Sequence, residues 1–91
     1  SYNNAASSYY NLAGNVFNSD NPKRSELQEA MNNYNIAYEY FDMARDYFME
    51  LEDMGSANGA SMAIQVKDYM DLIDGTQIPF VQKQLDLQNS N

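Results

Sequence analysis

Ninety-one residues leave room for one small domain, 1–91, and no more. Thirteen acidic residues against five basic ones give a net charge of −8, and there is no histidine, cysteine or tryptophan. This composition excludes catalytic triads and dyads, zinc sites, haem ligation through histidine and disulfide frameworks. The charge also argues against nucleic acid and against direct binding to an anionic membrane surface.

Hydrophobic residues make up 44% of the chain and aromatic residues 13%, enough for a folded core rather than a disordered polar segment. No stretch alternates with the period of a strand. The first segment, about 4–18, places Ala6, Tyr9, Ala13, Val16 and Phe17 at spacings of three and four, one apolar stripe on a helix. Asn18, Ser19, Asp20 and Asn21 then form a turn, with Pro22 suited to open the next helix.

The second segment, about 23–53, has no Gly or Pro and predicts a helix of about 45 Å. At 100° per residue its apolar positions fall into two sectors. Leu27, Ala30, Tyr34, Phe41 and Phe48 form the first. Ile36, Tyr40, Met43, Tyr47 and Met54 form the second, roughly 120° away, with Ala44 and Leu51 between them. An arc that wide suits a central helix with neighbours on two sides. One arrangement has the first helix over the first sector, along the N-terminal half, and the later helices over the second. The other has a second copy or a partner helix completing the bundle, and self-association through the C-terminal half of the long helix is the expectation.

Gly55 and Gly59 bracket the next turn, and Ala63, Val66, Met70 and Ile73 mark a third helix over about 61–74. Gly75 breaks it, Thr76 offers an N-cap, and Ile78, Val81 and Leu85 mark a fourth helix over about 78–88. The predicted fold is all-α: a small antiparallel bundle of three to four helices around one long central helix. Lys67 is expected near Met43 to Asp46, and Lys83 near Glu26 and Glu29.

No motif for chemistry stands out. The remaining face of the long helix carries Glu39, Asp42, Asp46, Glu50 and Asp53, a negative ridge that reads first as a solvated surface. Asp68, Asp71 and Asp74 form a second row of the same kind. Six Met and eight Tyr are many for this length. They fit gap-filling and core margins, and also adaptable binding surfaces. Neither a phosphate-cradling loop nor a nucleophile elbow is present. The sequence therefore predicts no enzyme, no cofactor and no metal site.

The resulting expectation is a non-catalytic interaction or sensory domain, an extracytoplasmic portion of a larger exported or membrane-anchored protein. Scarce lysine and an opening residue other than Met favour that over the cytoplasm. The alternatives are a free-standing cytoplasmic adaptor for a basic or amphipathic partner, and a carrier of a small-molecule ligand. Ile36, Tyr40, Met43, Tyr47 and Met54 are the expected contact residues, for self-association or for a protein partner.

Overall fold

The computed structural model describes residues 1–89, so the last two positions of the 1–91 domain lie outside the described residues. The chain forms α1 (Tyr2–Gly14) with a 3-10 turn (Asn15–Asn18), α2 (Arg24–Asp53), α3 (Ala57–Leu72), a π-helical stretch (Ile73–Gln77) and α4 (Ile78–Asn89). There is no strand among the described residues. The fold is the expected all-α bundle, an elongated body of 55 × 20 × 17 Å with α2 as its axis.

Local chemistry sets the helix ends. Ser1 and Ser56 cap α1 and α3, their side chains accepting from the Asn4 and Gly59 backbone N–H groups. Pro22 lies just outside α2, and the Lys23 N–H donates to Glu26 Oε1 at 2.9 Å. At the other end Gly55 takes the left-handed conformation, φ +94°. Its N–H reaches the Glu52 carbonyl, and the Ser56 N–H reaches Leu51, a Schellman closure.

Two boundary expectations change. The third helix starts at Ala57 rather than near Ser61, because the Ser56 cap sits inside the stretch taken for a turn. Gly59 is therefore a helix residue, and it is there for closeness. A Cβ at Gly59 would lie 2.7 Å from the Phe48 carbonyl oxygen and 2.8 Å from the Glu52 nitrogen. The backbones of α2 and α3 touch at this point.

The second change concerns Gly75 and Thr76, which neither break nor cap a helix. The chain passes from α3 into α4 through the π stretch, with the Ile78 N–H bonded to the Ile73 carbonyl. Pro79 supplies a reason: inside a helix it lacks a donor and crowds the carbonyl four residues back, here that of Gly75. Widening the helix relieves this. It also corrects the phase, since at 100° per residue the step from Ile73 to Val81 overshoots two turns by about 80°. With the extra residue absorbed, Val66, Met70, Ile73, Val81 and Leu85 are all buried along one face. The third member of the bundle is continuous rather than broken.

Residue size governs how α2 receives its neighbours. Ala6 and Ala13 of α1, and Ala30, Ala37 and Ala44 of α2, are buried at seven-residue spacing and allow those helices to lie close. Larger side chains fill the centre, where Leu27, Tyr34 and Phe41 are almost fully buried. Phe41 stacks on Tyr69 of α3 with ring centroids 5.3 Å apart, while Tyr10 of α1 presents its edge to Tyr34, Phe41 and Tyr69. Phe17 joins Phe80 of α4 at 5.2 Å.

The expected assignment of sectors holds only in part: Tyr10 of α1 meets Tyr34 and Phe41 of the first sector, but α1 covers part of the second as well. Tyr40, in the second sector, stacks on Tyr2 and Tyr9 of α1. Phe41, in the first, faces α3. Nor is α1 confined to the N-terminal half of α2. Its C-terminal end lies beside Glu26 and Glu29, and its N-terminal end reaches Ala44, Tyr47 and Phe48. Lys67 does lie near Arg45, but its ion pair is within α3, to Asp71 at 2.6 Å.

Two of the helical glycines, Gly59 and Gly75, yield opposite expectations. Gly59→Ala should cost about 1–3 kcal/mol, since backbone must move to admit the methyl group. Gly75→Ala should gain about 0.5–1 kcal/mol, because a Cβ there meets nothing within 4 Å. Urea denaturation of both variants measures the difference directly.

Candidate interaction surface

An open cleft of about 600 Å³ lies where α1 begins, lined by Ser1, Tyr2, Asn3, Ala44, Tyr47 and Phe48. Among the described residues α1 spans about 20 Å and α2 about 45 Å. The last turns of α2 have α3 on one side and the cleft on the other. Tyr2 is 51% exposed and Tyr47 55% exposed, two large rings at its mouth. Tyr47 meets Phe48 edge-on at 5.7 Å.

The five expected contact residues do not share one environment. Tyr40 is engaged by the two α1 rings, and Ile36 is half-buried on the same flank. Tyr47 alone lines the cleft. Met43, 40% exposed, lies one turn before it, and Met54, 77% exposed, caps the end of α2. The structure thus adds Tyr2, Ala44 and Phe48 to Tyr47 and leaves Tyr40 inside the fold. One signal for Tyr2 was present in the sequence: four residues before Ala6, it extends the α1 stripe.

Beside this apolar strip, Glu39, Asp42, Asp46, Glu50 and Asp53 are all exposed. Glu39 and Asp46 are the helical neighbours of Met43, and Glu50 is the neighbour of Tyr47. Among the described residues no group of three or more carboxylates is placed to hold a metal ion. Asp68 and Asp74 are also exposed, while Asp71 holds the Lys67 amine and raises its pKa through their hydrogen bond. Met49 and Met54 are exposed near the α2–α3 turn, and Met62 is half-buried.

A second polar feature lies inside the bundle. The Tyr34 hydroxyl donates to Gln77 Oε1 at 2.7 Å, and Gln77 Nε2 donates to the Tyr10 hydroxyl at 3.0 Å. One carboxamide from the π stretch thereby ties α1 to α2. Burial, with Tyr10 beside it, pushes the Tyr34 phenol up to about 12. Burial also raises Tyr10, as does Tyr69, while the Gln77 hydrogen bond pulls the other way. Unlike a catalytic phenol, Tyr34 is held neutral with its proton committed to Gln77.

The folded protein holds these protons more tightly than the unfolded chain, in which tyrosine titrates near 10. Their contribution is complete below pH 10 and is lost as pH rises from 10 towards 12. Stability should therefore fall across that window, and Tyr34→Phe should flatten the fall. The same variant should cost about 1 kcal/mol at neutral pH, where it removes a hydrogen bond. Denaturation at a series of alkaline pH values checks both statements.

No helix among the described residues is long and apolar enough to cross a membrane. Comparison with protein-family models, curated proteins and solved structures finds no match to this chain.

Proposed function

We propose that this chain is a non-catalytic protein-interaction domain, the part of a larger exported or membrane-anchored protein that presents a binding surface. One observation carries the reading: the cleft at the start of α1, with Tyr2 and Tyr47 exposed at its mouth and Met43 and Met54 alongside. Large rings and methionines left accessible beside a gap in a helix pair are the usual make-up of a contact surface.

The volume of the cleft favours one other reading, since about 600 Å³ is within the range of small-molecule sites. A carrier for an apolar ligand would use the same Tyr2, Tyr47 and Phe48 walls.

Photo-crosslinking separates the two. A benzophenone side chain in place of Tyr47, in the full-length protein in its own cells, should give one discrete protein adduct. The same group in place of Asp68, on the far face, should give none. A small-molecule adduct seen by mass spectrometry at position 47 would favour the carrier. Equal, diffuse labelling at both positions would contradict an interaction surface at the cleft.

A further inference from the structure

A second concavity lies at the other end of α1 from the cleft, where its last turn and the 3-10 turn meet the first turns of α2. It is a groove of about 210 Å³. Leu12, Ala13, Val16 and Ala30 give it an apolar wall. Glu26, Glu29 and Asn33, at spacings of three and four, share the face of α2 that lines it. No lysine or arginine lines the groove, and neither glutamate has an ion-pair partner among the described residues.

Asn33 is the unusual member. It is the one buried polar side chain among the described residues, 8% exposed. Its carboxamide makes no hydrogen bond to any of them. Among the described residues no fully enclosed side-chain N or O atom lacks a partner, so this carboxamide opens onto the groove rather than into the core. A carboxamide withdrawn this far from bulk water without a protein partner costs stability, and a ligand that hydrogen-bonds to it offsets the cost.

We infer that this groove binds a primary ammonium group carried on a short alkyl chain. The chain lies along the wall of Leu12 and Val16. The ammonium donates three hydrogen bonds, to Glu29, to Asn33 Oδ1 and to Glu26 Oε2; Glu26 Oε1 already accepts from the Lys23 N–H at 2.9 Å. A divalent cation fits worse, since calcium takes about six to eight oxygen ligands and the apolar wall supplies none. The net charge of −8 draws cations of every kind, whereas the buried carboxamide and the wall select this one. The site stands whatever occupies the cleft at Tyr47.

Titration of the isotope-labelled protein at constant ionic strength tests this, with n-butylammonium, n-butanol, tetramethylammonium and calcium followed by amide chemical shifts. Butylammonium should saturably shift the Asn33 side-chain amide together with Ala13, Val16 and Glu29. Butanol lacks the charge and tetramethylammonium lacks the donors, so each should bind at least about tenfold more weakly. Nα-acetyl-lysine methylamide separates a free amine from the end of a partner's lysine. Binding equal to butylammonium admits the lysine, exclusion leaves the free amine, and either result upholds the ammonium site.

Glu29→Gln should weaken butylammonium several-fold. Asn33→Leu should abolish its binding and raise the melting temperature of the free protein, because a side chain of like shape replaces an unpartnered carboxamide. Asp42→Asn with Asp46→Asn, on the exposed ridge, should leave binding unchanged. Equal binding by butanol would reduce the groove to an apolar niche and overturn the proposal. Calcium shifting the same residues at lower concentration than butylammonium would make it a metal site and overturn it as well. No saturable shift with butylammonium, or a lower melting temperature in Asn33→Leu, would contradict it outright.

Discussion

Everything in this fold is arranged around the circumference of α2, which must serve α1 and the α3–α4 helix at once. It does so by sorting side-chain size. Alanines at 30, 37 and 44 face the alanines of α1, so that pair closes to small-residue distance. The large residues, Leu27, Tyr34 and Phe41, occupy the middle, where rings from both neighbours converge. With α1 and the third helix meeting chiefly through side chains, Tyr10 and Phe17 join them across the bundle. Deleting the Phe41 ring would open the centre of that cluster, a change of about 3–5 kcal/mol in a domain this small.

The same sorting explains what was legible in the sequence. Helix existence, the length of α2 and the buried face of α3–α4 follow from periodicity, and Gly55 from turn chemistry. The partner of each sector of α2 did not follow, because periodicity marks a face as apolar without saying what covers it. Alanine was the informative residue there. The seven-residue spacing of Ala30, Ala37 and Ala44 against Ala6 and Ala13 is a local pattern, but it was outweighed by the larger rings beside it. Gly59 and Gly75 misled for a related reason. Both are ordinary breakers, yet here one makes a backbone contact and the other lies in the phase-correcting π stretch.

The contact surface was legible only at one of its edges. Tyr47 was visible as an apolar position too far round α2 to share the main core. Its companions in the cleft come from the other helix and from positions read as core, which only the docking of α1 brings together. Tyr40 shows the converse, a residue on the same sector that the Tyr2 and Tyr9 rings absorb.

The account therefore turns on the placement of α1 against the second sector of α2. Ring-to-ring nuclear Overhauser effects in the isotope-labelled protein measure that placement directly. Contacts from Tyr2 and Tyr9 to Tyr40, together with contacts from Phe41 to Tyr69, are the predicted result. Contacts from Tyr9 to Phe41, with Tyr40 close to α3 instead, would exchange the two sectors. That outcome would close the cleft at Tyr47 and contradict the account.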